Sequence, residues 1–145
     1  FKLSNYFKSV AIRPGKPIMF AKIRNKSKVI FGLPGNPISS AACFRFFVYP
    51  YIRSLLGLKE ETSFKALLKS EFVKKKNFTR FVKSKLSTTK NGKLQVEILK
   101  GQESFRIKTF IQSNIWVMLP SGKEKFKKGE IVDCFFPNQS NKIFS

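Results

Sequence analysis

The stretch Phe31-Gly32-Leu33-Pro34-Gly35-Asn36-Pro37-Ile38-Ser39-Ser40 decides the fold. An apolar strand over 28–31 runs into two glycines and two prolines, and a helix begins directly after them. Asn36 suits the N-cap, because its side-chain oxygen can accept from the first backbone N–H groups. Pro37 suits the first helical position, where no donor is needed and φ is already set. Ser39 and Ser40 put hydroxyls on the first turn, at the positive end of the helix dipole. Such a terminus can receive a phosphate or another oxyanion. The same signals also serve a plain strand-to-helix turn, and spacing does not separate the two readings.

Working upstream, Val10 to Ile12 forms a short apolar strand that ends in Arg13-Pro14-Gly15-Lys16-Pro17. Two prolines and a glycine make this a rigid loop carrying two cations. Ile18 to Ile23 is the return strand, and Arg24-Asn25-Lys26-Ser27 is a polar hairpin, so three strands precede the helix. Loops at the carboxyl ends of neighbouring strands in an α/β arrangement line one crevice. The Arg13 loop and the 32–40 turn can therefore face a common anionic ligand.

Downstream, the helix extends from Pro37 towards Leu56 and is apolar almost all round, which predicts cover by its own domain or by a partner subunit. Pro50 must bend it, and Gly57 is its C′ residue. Residues 58–62 read as a linker between 1–57 and 63–145. From Ser63 the pattern is β: Phe72-Val73, Phe78 to Leu86, Lys93 to Leu99, Ile115 to Leu119 and Glu130 to Phe136. Leu94-Gln95-Val96-Glu97-Ile98 alternates as a half-buried strand does, and Asn91-Gly92 is a hairpin turn. Five or six strands in a small barrel or sandwich follow. Lys74-Lys75-Lys76 reads as a solvated strand end, and Asn138 onwards as a frayed tail.

The chain has 29 basic and 8 acidic residues, a net charge of +21. Nucleic acid is the first partner such a charge suggests, and a basic nucleic-acid-binding β-barrel module is the alternative function. Lysine outnumbers arginine, though, and the lysines are spread through every segment instead of forming one patch. Arginine is the residue of base-edge and phosphate-fork recognition. Lys, Phe, Ile and Asn are all abundant, as an A+T-rich coding sequence would make them, so the charge is mainly background. The absence of histidine removes the commonest general base. Two distant cysteines, Cys43 and Cys134, cannot make a Cys₄ zinc site and read as reduced core thiols. No apolar run is long enough to span a bilayer and no secretory leader is present, so a cytoplasmic location is expected. The start at Phe1 rather than Met suggests a piece of a longer polypeptide.

Val10-Ala11-Ile12-Arg13-Pro14-Gly15-Lys16-Pro17, followed by Phe31-Gly32-Leu33-Pro34-Gly35-Asn36-Pro37 and a Phe-rich helix, resembles the molybdopterin molybdenumtransferase family, the MoeA-like proteins and the E domain of gephyrin. The rest resembles that family's C-terminal β-domain, through Phe78-Thr79-Arg80, Asn91-Gly92, Gly101-Gln102-Glu103-Ser104 and Asn114 before Trp116-Val117-Met118-Leu119-Pro120. The implied fold class is α+β: the C-terminal end of a three-layer α/β (MogA-like) subdomain, then a small β-barrel. The implied activity is insertion of molybdenum from molybdate into adenylylated molybdopterin, releasing AMP, with Mg²⁺, in a homodimer. Residues carried over as cofactor-binding are Arg13, Pro14, Gly15, Lys16, Pro34, Gly35, Asn36, Ser39 and Ser40, with Arg80 and Ser104 from the β-domain.

The departures set limits. Ser9 stands where the family usually has a basic residue, Glu103 where it has Gly, and Lys108-Thr109 where it has two small hydroxyl residues. None of the eight carboxylates (Glu60, Glu61, Glu71, Glu97, Glu103, Glu124, Glu130, Asp133) matches the family's metal-holding acids. A hard cation wants clustered oxygen ligands. The expectation is a stretch that binds substrate and is inactive alone, with the Mg²⁺ ligands upstream.

Overall fold

Arg24-Asn25-Lys26-Ser27 closes a hairpin, as its polarity predicts, with Asn25 at a positive φ of 60°. In this computed structural model, which describes residues 2–137, the chain divides into two compact units between Glu61 and Thr62. The architecture is α+β.

The first unit contains β1 (Leu3–Phe7), β2 (Ile12–Arg13), β3 (Met19–Ile23) and β4 (Val29–Gly32). Strands β1, β3 and β4 form an antiparallel sheet in that order, with Lys22 opposite Val29 and Phe20 opposite Phe31. The expected strands at 18–23 and 28–31 are present. That expected at 10–12 shrinks to Ile12–Arg13, and β1 was not anticipated. The middle of β1 is Ser4-Asn5-Tyr6, all exposed, so it lacks the alternation that announces a half-buried strand.

Helix α1 (Pro37–Cys43) passes into a π-helical segment (Phe44–Val48) and then into α2 (Tyr49–Leu55). Pro50 has no N–H to give the ladder. The expected bend there takes the form of a wider turn just before it, in which the Tyr49 N–H donates to Phe44 O, five residues back. The helix ends as expected at Gly57: its N–H bonds Ser54 O and the Leu58 N–H bonds Arg53 O, a Schellman closure.

Aromatic rings join helix and sheet. Phe20 stacks on Phe31 at 4.6 Å between centroids, and Tyr51 meets both edge-on at 5.9 and 5.5 Å. Beneath them Ile12, Ile18, Ala21, Ile38, Ala42 and Cys43 are buried. Arg45, in the π segment, is also buried. It pairs with Glu61, which ties the end of the 58–61 segment to the helix.

The second unit contains β5 (Phe64–Leu68), β6 (Phe72–Val73), β7 (Thr79–Thr88), β8 (Leu94–Ile98), α3 (Ile107–Gln112), β9 (Ile115–Leu119), β10 (Lys125–Phe126) and β11 (Ile131–Phe135). Five strands, β7-β8-β5-β11-β9, close into a barrel when β9 pairs back onto β7. Only the β5–β8 pairing is parallel among these five. Strand β7 makes the closure: Arg80–Ser84 face β9, Ser84–Thr88 face β8, and Ser84 partners both. Ala66, Leu68, Val82, Val96, Ile115, Val117, Leu119, Phe126, Val132 and Cys134 fill the interior.

The Asn91-Gly92 hairpin joins β7 to β8, with Gly92 at φ 74°. Strand β5, helix α3 and the short β10 are additions to the expected elements. The reading of Lys74-Lys75-Lys76 as a solvated strand end is corrected in part: Lys75 and Lys76 are exposed, but Lys74 is buried. Its ammonium donates to Phe78 O at 2.7 Å and Lys75 O at 3.3 Å. The loop over 74–78 folds back on it, a long-range event that a run of like charges does not announce. The expected frayed tail from Asn138 lies outside the described residues. Among the described residues no helix is long and apolar enough to cross a membrane.

Candidate functional site

In the first unit, the Arg13-Pro14-Gly15-Lys16 corner closes on itself. The Val10 N–H donates to Lys16 O and the Ile18 N–H to Gly15 O, both at 3.1 Å, and the Arg13–Pro14 peptide is cis. Gly15 is buried with φ 105°. A Cβ built there would lie 2.4 Å from Cys43 Sγ and 3.7 Å from Ser39 O. Only glycine fits a backbone seated so closely on α1. Cys43 Sγ in turn donates to Gly15 O at 3.5 Å. The cationic corner therefore rests on the first turns of the helix that the 32–40 corner opens. Arg13 and Lys16 are exposed, and Pro14 is half-buried.

The second corner is braced from within. Asn36 is the N-cap, its Oδ1 accepting from the Ile38 N–H at 3.2 Å and the Ser39 N–H at 3.5 Å. The Ser40 N–H bonds Asn36 O, and the Ser40 hydroxyl donates to Pro34 O. The start of the helix is thus partly satisfied from within. Asn36 takes two of the first N–H groups and Ser40's proton holds the loop, so the Ser40 oxygen is left as an acceptor. Ser39 is buried, Pro34 half-buried and Gly35 exposed. Burial pushes the Cys43 thiol up to about 11, which keeps it protonated at neutral pH. The arrangement suits binding of an anion more than chemistry on it.

In the second unit, Arg80 lies on β7 opposite Leu119, its guanidinium 5.5 Å from the Phe72 ring centre. Ser104 is half-buried in the turn before α3. The cationic side chains around Arg80 include two that sequence reasoning missed. Burial first, and then the charge of Arg80, hold the ammonium of Lys74 below its ordinary pKa. Burial does the same for Lys83, where Glu103 opposes the shift and Arg80 adds to it. Lys83 Nζ donates to the carbonyls of Gly101, Glu103 and Arg106, in the loop that contains Ser104. Only the Gly101-Gln102-Glu103-Ser104 likeness pointed to this loop; nothing local marks Lys83.

Among the described residues no three of His, Cys, Asp and Glu come together. The described residues therefore do not make a Mg²⁺ site among themselves.

Residues 65–135 match the MoeA C-terminal region (domain IV), and residues 2–54 match a probable molybdopterin binding domain. The chain belongs to the MoeA-like family, matching its C-terminal portion. It is 35% identical over 130 residues to the molybdopterin molybdenumtransferase of Staphylococcus aureus strain COL, covering 88% of this chain and 30% of that one. With the Staphylococcus epidermidis RP62A protein of the same name it shares 36% over 140 residues, 93% of this chain and 32% of that one. The MoeA-like chain thus spans about a third of the length of these relatives. In fold it resembles the molybdopterin biosynthesis moeA protein of Pyrococcus horikoshii OT3, with TM-score 0.74, 23% identity, and 92% and 32% of the two chains covered. A molybdenum cofactor biosynthesis protein of Pyrococcus furiosus aligns with TM-score 0.72 and 23% identity, over 92% of this chain and 45% of that one.

Proposed function

We propose that this MoeA-like chain is part of an enzyme that inserts molybdenum from molybdate into the dithiolene of adenylylated molybdopterin, with release of AMP. The observation that carries the reading is the seating of Gly15 against Cys43 and Ser39, which sets the cationic corner on the helix opened by the glycine-proline corner. Adenylylated molybdopterin is a polyanion. Arg13 and Lys16 would hold its phosphates, with Arg13 suited to a bidentate grip. Pro14 and Gly15 fix those cations against α1. Pro34, Gly35, Asn36, Ser39 and Ser40 shape the adjoining wall, where the Gly35 backbone is open and the Ser40 oxygen can accept. By the family resemblance, Arg80 and Ser104 would offer a cation and a hydroxyl of the β-domain to an anionic ligand.

The staphylococcal relatives' name supports the transferase activity. The Mg²⁺ ligands and the homodimer contacts would then belong largely to the rest of a longer protein, and this chain would bind substrate without turning it over.

The test is calorimetric titration of the 145-residue chain with adenylylated molybdopterin, alongside Arg13→Ala and Lys16→Ala. The expected result is measurable binding that weakens about tenfold in each variant, as loss of a charge-assisted contact predicts. Equal affinity in all three chains, or none in any, overturns the assignment. AMP release by the unsupplemented chain in the presence of molybdate overturns the claim that it is inactive alone.

A further inference from the structure

Along β7, Val82 and Ser84 are fully buried and Val82 belongs to the barrel core, so Lys83 between them lies on the outer face. A lysine there belongs in water, yet Lys83 is 1% exposed, because the 101–106 loop lies over it. Its ammonium has three protons and meets three carbonyls, Gly101 at 3.0 Å, Glu103 at 3.1 Å and Arg106 at 3.4 Å. The Lys83 backbone is bracketed as well. Its N–H donates to Gln102 Oε1 at 2.9 Å and its carbonyl accepts from Gln102 Nε2 at 2.7 Å. Gln102 Nε2 also reaches Leu99 O, and Thr109 Oγ1 closes the loop by donating to Lys100 O. A buried cation costs free energy unless it is well solvated by polar groups. Here the loop supplies that solvation with three of its carbonyls.

We infer that Lys83 is a positioning residue, whose ammonium draws the 101–106 carbonyls inward and so fixes Ser104 for the anionic ligand. The inference rests on the reading of Ser104 as a ligand residue given above. Methionine at this position is unbranched like lysine, one atom shorter, and removes every donor, leaving three inward carbonyls unpaired. Arginine keeps the charge and the donors in a bulkier, planar head.

The experiment measures amide hydrogen exchange over 101–109 and affinity for adenylylated molybdopterin in the 145-residue chain, Lys83→Met, Lys83→Arg, Ser104→Ala and the Lys83→Met/Ser104→Ala double variant. Lys83→Met is expected to lose at least tenfold protection over 101–109 with the barrel strands still protected. It is also expected to bind as weakly as Ser104→Ala, with no further loss in the double variant, and Lys83→Arg should recover part of both. Protection within twofold of the parent chain in Lys83→Met, or no recovery in Lys83→Arg, overturns the inference alone. Undiminished affinity in Ser104→Ala overturns the ligand role of Ser104, and the positioning role with it, whatever the exchange data show. Should Lys83→Met not fold, Gln102→Leu takes its place. Loss of at least tenfold protection over 101–109 together with weaker binding there supports the inference, and parent-like values overturn it.

Discussion

Cys43 Sγ occupies the space that a side chain on Gly15 would need, 2.4 Å from the position of its Cβ, and donates a hydrogen bond to the Gly15 carbonyl. The contact joins residues 28 positions apart and fixes the cationic corner to the helix. Gly15→Ala therefore faces both a clash and an unfavourable φ of 105°. Overpacking and backbone strain together amount to about 2–6 kcal/mol. Adding Cys43→Ala should restore the part due to the clash and leave the strain, so a double-mutant cycle in urea should show strong coupling. Additive losses would mean that the two residues do not touch in solution.

Arg45 and Glu61 make a second long-range tie, a pair with side chains 4% and 9% exposed, and the guanidinium lies 5.4 Å from the Phe46 and Tyr49 ring centres. Removing one partner of a buried pair strands the other charge, at a cost of about 3–5 kcal/mol. Glu61→Ala should lower the urea midpoint accordingly, and Arg45→Met/Glu61→Leu should recover most of the loss. A loss under about 1 kcal/mol in Glu61→Ala would identify the pair as a solvated one.

At the start of α1 the Asn36 side chain serves two N–H groups. Asn36→Ala should cost about 1 kcal/mol and Asn36→Gly only a few tenths. If the ligand also used these N–H groups, the cap deletion would tighten binding. The expected result is weaker binding in proportion to the loosened corner, measured by the same calorimetric titration.

The corners were legible because glycine, proline and asparagine state local backbone requirements. Pro34 to Pro37 specify a turn and a helix start whatever surrounds them, and Gly57 and Gly92 specify ends and hairpins in the same way. Strong alternation likewise announced β8. Strand β1 was hidden by the exposed Ser4-Asn5-Tyr6, and α3 by its six-residue length, too short to display a period. Lys74 and Lys83 were illegible for a different reason. Their burial is decided by loops that fold over them from elsewhere in the chain, as Gly101 to Arg106 do for Lys83, and a lysine in sequence looks the same wet or dry. The roles proposed for Arg80 and Ser104 rest on resemblance, since neither residue type nor spacing distinguishes them from surface groups.

The pH dependence of stability should have two edges. Burial pushes the carboxyl of Asp133 up, but hydrogen bonds from Lys65 and Ser63, with the Lys65 charge, outweigh it and hold it below its ordinary value. Glu130 is held low by the Lys123 side chain and the Lys127 N–H. A carboxylate with a depressed folded pKa contributes stability that is present above its unfolded value and lost as pH falls through the folded one. Stability should decline below about pH 4.5, the ordinary glutamate value, and less steeply in Asp133→Asn/Glu130→Gln. On the alkaline side, burial pushes Cys43 up to about 11 and Cys134 up to about 12, from 9.0. A raised folded pKa reverses the sign of the pH dependence: the contribution is complete below pH 9 and is lost as pH rises towards 11–12. Lys74 and Lys83, whose folded values are lowered from 10.5, oppose that decline, because their cost fades as they deprotonate. Urea unfolding from pH 3 to 11 should show both edges, and Cys43→Ala/Cys134→Ala should turn the alkaline decline into a shallower one or a rise. An alkaline edge unchanged in that variant would show that the thiols are not what titrates there.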